Sequence, residues 1–184
     1  MQLSDVNIVE MPPPDMPAAL YSRSVDAITS GEPFMGQTEL DGYGRALYRV
    51  KEVWPGFISC VLAVSEEAIK NRRTEVQELV DGIAQSGKWL DSGMDNRMAA
   101  AQFVSTLYYN QNPRLLTYVL SKPPDRVIYS HLKPTRPNFE EIELLAKEAG
   151  ILKGTARFDD YIDDSFAPDD DKVQAYAYKA PVHE

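Results

Sequence analysis

The sequence predicts an α/β fold that becomes helix-rich after residue 65. Three observations lead there: a strand–helix–strand pattern near the start, an almost purely apolar run at Ile58–Val64, and amphipathic helical spacing through most of the remaining chain. Val6–Val9 is a short β-branched run, stopped by Glu10, Met11 and the triple proline Pro12–Pro14. Asp15 is placed to cap a helix through Tyr21, with Pro17 in the first turn where it sacrifices no helical hydrogen bond. Val25–Ser30 reads as the next strand, with Ala27 and Ile28 its buried members. Together these form a parallel crossover unit, which needs further strands beside it.

Residues 35–52 read as helical or irregular around Gly42 and Gly44, ending in a strand over Arg45–Val50. Ile58–Val64 has the continuous apolar character of a strand covered on both faces, with Cys60 a small buried thiol. Ser65 then caps a long helix whose apolar set is Ile69, Val76, Leu79, Val80 and Ile83. A helix near 95–109 carries Met98, Phe103, Val104 and Leu107, and Asn112-Pro113 opens another to Leu120. Asn138 with Glu141 resembles a capping box for a helix closed by Gly150. From Asp159 the chain is acidic, with Asp163, Asp164 and Asp169–Asp171, and is expected to wrap the surface or fray. Strands confined to the first third suggest part of a larger assembly, or one half of a pair.

Composition narrows the function. The 184 residues hold 19 Lys and Arg against 28 Asp and Glu, a net charge of -9 that argues against binding nucleic acid or anionic lipid. The basic cluster Lys70–Arg73 lies beside Glu66, Glu67 and Glu75 and reads as a solvated helix face. Cys60 is the single cysteine, so no internal disulfide forms. No apolar run approaches the roughly 20 residues that span a bilayer, and Met1–Asp5 carries no signal-peptide pattern. His131 and His183 lack partners at catalytic or zinc spacing. The acidic pairs Asp159/Asp160 and Asp163/Asp164 lack the glycine turn of a calcium loop. The expectation is therefore a protein with no catalytic residue, metal or cofactor, which holds a small molecule rather than transforming one.

The candidate site is Gly31-Glu32-Pro33-Phe34 together with the loop from Trp54, where a carboxylate and aromatic rings meet at the open end of the expected sheet. Glu32 suits either a turn or ion pair, or a hydrogen bond to a ligand; a bare carboxylate opposes an anion unless Arg or Lys pairs with it. Phe34 and Trp54 suit either core packing or stacking on a planar ligand. Asp15 is a helix cap or a further ligand contact.

Several short motifs then recur in a familiar order: DVNIVEMPPPDMPAAL and GEPF within Asp5–Phe34, the Val53–Val64 loop and strand, the Glu66–Leu90 helix, Lys122-Pro123-Pro124-Asp125-Arg126-Val127, and Asp159-Asp160-Tyr161-Ile162-Asp163. Over about residues 5–167 the chain resembles the substrate-binding proteins of nitrate/sulfonate/taurine ABC transporters, the NMT1/THI5-like group. The resemblance implies the later half of a type II periplasmic-binding-protein fold. Residues 1–52 would end the second lobe, 53–58 form the hinge, 59–167 return to the first lobe, and 168–184 form an acidic tail. It places Glu32, Pro33 and Phe34 at the cleft rim, and Trp54 with Pro55 near the hinge. Ser59 and Cys60 stand where many relatives have a Pro-Cys-Cys-like run. The implied role is solute binding for an importer of small anions, sulfonates or related compounds by cleft closure, with a membrane permease as partner and a periplasmic or extracytoplasmic location. The alternative is a non-transport sensing or assembly module, a homodimer joined through an unfinished sheet edge. Yeast-type pyrimidine-synthesising members of the wider group use a cysteine-rich motif and a reactive histidine; this chain lacks that motif, so no enzyme is expected.

Overall fold

Helices and irregular segments alone build the chain over residues 2–108 and 111–177, the part that the computed structural model describes. The α/β expectation, and with it the later half of a periplasmic-binding-protein sheet, is overturned: no strand occurs among the described residues. Val6–Val9, Val25–Ser30, Arg45–Arg49 and Ile58–Val64 have no regular structure, and Val50 opens a helix instead. Ile8 is 71% exposed and Val61 62%, so the β-branched side chains expected inside face solvent. Cys60 is likewise exposed rather than buried. The physical reason is that a strand is stable only when a neighbour pairs its backbone groups. β-propensity reports fitness for a pleated, half-buried surface; it does not supply that surface.

The helices follow local signals more closely. They are α1 (Met16–Tyr21), α2 (Phe34–Leu40), α3 (Val50–Val53), α4 (Glu66–Asn71), α5 (Arg73–Asp91), α6 (Met94–Leu107), α7 (Pro113–Ser121), α8 (Arg136–Glu148) and α9 (Phe158–Tyr161). The Ser65 hydroxyl caps α4 by accepting the Ala68 N–H at 3.2 Å, and Asn112 caps α7 by accepting the Arg114 N–H at 2.9 Å. Gly150, at φ +71°, closes α8 and donates its N–H to the Lys147 carbonyl at 2.9 Å. The long helix expected after Ser65 is instead two helices, broken at Arg72, where φ is −138°. Asp15 precedes α1, but its carboxylate makes no capping hydrogen bond. Nor does Asn138 start α8, which begins at Arg136. The expected end of α6 at Tyr109, and His183, lie outside the described residues.

The core forms where α6 meets α7. Ala101, Leu115, Val119 and Leu120 are buried there, with Met98, Leu40 and Tyr129 packed against them. α5 packs on α6, and α2 joins α1 to α7. Gly36 on α2 permits that last contact, because a Cβ there would lie 2.3 Å from Val119 Cγ1.

A buried arginine ties the ends of these helices together. The Arg97 side chain, 8% exposed, pairs with Asp91 and donates to the carbonyls of Leu120 at 3.3 Å and Val127 at 3.0 Å. The other oxygen of Asp91 accepts the N–H groups of Tyr129 at 2.8 Å and Ser130 at 2.7 Å. One ion pair thus joins α5, α6, the end of α7 and the loop after it. Beyond α9, an acidic strap over residues 163–177 lies along α5. Asp169 within it bonds Lys133 at 2.7 Å and Lys172 at 2.6 Å, which hold its carboxyl down at about 2.

Removing one partner of a buried ion pair strands the other. Arg97→Ala is therefore expected to cost about 3–5 kcal/mol, read by urea denaturation; a loss below about 1 kcal/mol, the scale of a surface pair, contradicts the assignment. For Asp169 the folded pKa lies below the unfolded value of 3.8, so its contribution is full above that value and fades as pH falls toward 2. Limited proteolysis should show the strap loosening between pH 4 and 2, with Asp169→Asn loosening it already at pH 7. A strap equally protected at both pH values, and in the variant, contradicts this.

Candidate functional site

The loop Gly31-Glu32-Pro33-Phe34 leads directly into α2, with Pro33 at the N-cap position. The Glu32 side chain folds forward, and its Oε2 accepts the Gly36 N–H at 2.8 Å, satisfying one open amide of the first turn. Its Oε1 accepts from Arg126 Nη1 at 2.7 Å, while Arg126 Nη2 donates to Glu39 one helical turn or so further along α2. Arg126 Nε donates to the Lys122 carbonyl at 2.7 Å, and the guanidinium lies over the Tyr118 ring at 5.2 Å. The Arg126 side chain is only 6% exposed. Burial pulls its pKa down, but the hydrogen bonds and charges of Glu32 and Glu39 outweigh it and the net shift is upward. Both Glu32 oxygens and three guanidinium nitrogens are thereby engaged within the protein.

The preceding residue of the same turn anchors a second loop. Lys51 on α3 donates to both the carboxylate and the carbonyl of Asp125, each at 2.5 Å. That ammonium holds the Asp125 carboxyl below the ordinary range. Trp54 ends α3, its N–H bonded to the Val50 carbonyl at 2.7 Å, and its ring meets Phe57 at 5.0 Å between centroids. Gly56, at φ +80°, makes the turn between them, and its carbonyl accepts from Asn138 Nδ2 at 2.7 Å. Asn138 is not a cap because α8 has already begun at Arg136; its Nδ2 is used across the fold, and its Oδ1 accepts from the Thr135 hydroxyl.

The 122–126 turn therefore brings together the Glu32–Phe34 loop and the α3–Trp54 loop. Phe34 and Trp54 are half-buried, while Ser59 and Cys60 lie in the irregular, solvent-facing run after Phe57. Asp15 stands at the entry to α1, exposed. Arg126, Glu39, Lys51 and Asp125 are not legible from the sequence as site residues. Asp125 and Arg126 sit in one of the recurring motifs, but their partners are 74 and 94 residues away, and spacing carries no signal over that distance. Among the described residues, no group of three or more His, Cys, Asp or Glu side chains is arranged to hold a metal ion.

The 122–126 turn thus sets a half-buried aromatic loop beside internally paired charges. The model of the NMT1-like family matches residues 2–105, a stretch that contains Asp15, Glu32–Phe34, Trp54, Ser59 and Cys60, and the chain belongs to that family. Over 118 residues it is 24% identical to the nitrate import ATP-binding protein NrtC of Synechocystis sp., covering 61% of this chain and 18% of that protein. The chain thus spans less than a fifth of that curated relative's length. No solved structure matches. Among the described residues no helix is long and apolar enough to cross a membrane.

The Glu32–Arg126 pair is expected to act as a unit in stability. A double-mutant cycle of Glu32→Ala and Arg126→Ala should give a coupling energy of about 1–3 kcal/mol by chemical denaturation. Additive effects of the two substitutions contradict the pairing.

Proposed function

We propose that this chain binds a small oxyanion or sulfonate-type solute for an import system, with the Trp54 loop as the contact surface. The observation that carries the reading is the family match, which runs through every site residue expected from the sequence. The name of the relative, a nitrate import protein, points to the same class of cargo. Because Glu32 is already satisfied by Arg126 and the Gly36 amide, its charge need not repel an anion. Its part in binding is to hold the loop that carries Pro33 and Phe34. Trp54 and Phe57 then offer apolar and π surface, and Ser59 a hydroxyl donor, with Cys60 beside it and Asp15 at the outer edge. Residues 53–58 act as the hinge in this reading: Gly56 adopts a conformation open to glycine, and closure would draw Trp54 toward the solute. A membrane permease receives the solute, outside the cytoplasm.

One observation favours a second reading, a non-transport module that self-associates. Phe57, Val61 and Leu62 are 41%, 62% and 48% exposed, in a run from Phe57 to Val64 that has no charged residue. Light scattering at micromolar concentration separates the two, since only the second requires a dimer.

Thermal-shift measurements with sodium nitrate, taurine and uracil test the solute reading. Ligand at 100 times its Kd adds about 2.7 kcal/mol, which for a chain of this size raises Tm by about 5–10 °C. Trp54→Ala should abolish the shift while leaving the unliganded Tm within a few degrees. The reading fails if no compound raises Tm, or if Trp54→Ala leaves the rise intact.

A further inference from the structure

The acidic strap makes its contacts in a pattern unlike ordinary core packing. Asp163 pairs with Arg73 at 3.8 Å, and the Arg73 guanidinium lies 4.0 Å over the Phe166 ring. Gln77 Nε2 donates to the Phe166 carbonyl at 2.9 Å. Asp169 bonds Lys133 at 2.7 Å, and the Asp170 carbonyl accepts from Lys88 Nζ at 2.7 Å. The Asp170 carboxylate also accepts the His131 N–H at 3.0 Å. These strap residues fall at i, i+3, i+6 and i+7: an acid, an aromatic, then two acids.

Arg73, Gln77 and Lys88 project from one side of α5, since their spacings of four and eleven residues bring them back to the same face. Gln77 is neutral and also donates to Asp81 on the same face, so positive charge lies at the two ends of this strip, Arg73 at one and Lys88 with Lys133 at the other, in a protein whose net charge is -9. Local positive charge of this kind, set in an acidic chain, selects for an acidic occupant. The strap supplies it, held by exposed ion pairs, by the Gln77 and Lys88 hydrogen bonds to its backbone and by one anchor: Phe166 is 6% exposed, while Asp163 to Ser165 are exposed and Ala167 to Asp170 only half-buried. Exposed ion pairs contribute little each, and fixing an irregular backbone opposes them.

We propose that this face of α5, with Lys133, is a docking surface for an extended acidic peptide carrying an aromatic anchor, and that residues 163–170 occupy it in cis as a competing ligand. A partner segment with the same acid–aromatic–acid–acid spacing would seat its ring under Arg73 and its later acids against Lys133 and the His131 amide, with Lys88 on a backbone carbonyl. Tethering gives the strap a high effective concentration, so the surface opens only to a partner held nearby or to a chain whose strap has been released.

The test uses the full chain and a fluorescein-labelled peptide with the sequence of residues 159–174. The double variant Phe166→Ala/Asp169→Asn should release the strap and bind the peptide at least about tenfold more tightly than the unaltered chain by fluorescence anisotropy. Adding Arg73→Ala and Lys133→Ala to that variant should weaken binding at least about tenfold, as should replacing the peptide's phenylalanine by alanine. Circular dichroism and a thermal melt of the double variant check that the helices persist. Equal affinity for the unaltered and released chains, binding unchanged by the face substitutions, no binding at all, or loss of helical signal in the released chain each overturns the proposal.

Discussion

The Arg126 guanidinium, buried between Glu32 and Glu39, is the constraint on which the arrangement of the first fifty residues depends. Of α1 and α2, only Pro17, Gly36 and Thr38 are buried, so this part of the chain has almost no apolar core of its own. Its attachment to the helical body rests on α2 meeting α7, where Leu40 packs against the α6–α7 core and two further components act. Gly36 lets the α2 backbone approach Val119, and Arg126 bridges the carboxylates that α2 and its preceding loop present. A guanidinium this buried is tolerated because its charge is met by two carboxylates and its Nε by a carbonyl. Lys51 on Asp125 adds a second, exposed tie at the neighbouring residue. The candidate binding loop is thus positioned by polar contacts to one turn rather than by packing.

Arg97 repeats the device in the body of the fold, where it gathers the ends of α5, α6 and α7. In both places one arginine organises segments that hydrophobic burial alone leaves loosely related, since the fully apolar core is small and lies between α6 and α7. The consequence for function is a division of labour. Charged groups near the site are committed to holding loops, and the groups left facing solvent from Trp54 to Leu62 are aromatic, aliphatic, hydroxyl and thiol. That surface is the contact proposed for the solute, in a chain that belongs to the NMT1-like family. The acidic strap extends the same device to the far side of α5, where ion pairs again do what packing does not.

How much of this is legible in the sequence depends on the range of the interaction concerned. Ser65, Asn112 and Gly150 act within one helical turn, and the residues that signal each boundary are also the residues that form it. The break at Arg72 is invisible in the sequence because apolar spacing continues through it into α5. Asn138 has the right residue type and spacing for a cap, but α8 already begins at Arg136, so Asn138 lies inside its first turn with its amide nitrogen bonded to the Gly56 carbonyl across the fold. The strands mislead for the same reason in reverse: Val6–Val9 and Ile58–Val64 have strand-like composition, yet nothing among the described residues lies beside them to pair with. Glu32, Phe34 and Trp54 stand out by chemical type, whereas Arg126 and Asp125 stand out only as part of a motif.

By itself, then, the sequence determined the caps that open α4 and α7 and the glycine that closes α8, the acidic character, the absence of an internal disulfide, and the family resemblance that the comparison bears out. Each of these is a property of neighbouring residues or of composition. The tertiary structure alone decided that the apolar runs stay unpaired, that Cys60 is exposed, that Glu32 belongs to Arg126, and that the acidic strap lies along α5. Those outcomes depend on which distant groups can meet once the helices have packed. Pairing energies between residues tens of positions apart leave no periodicity in the chain.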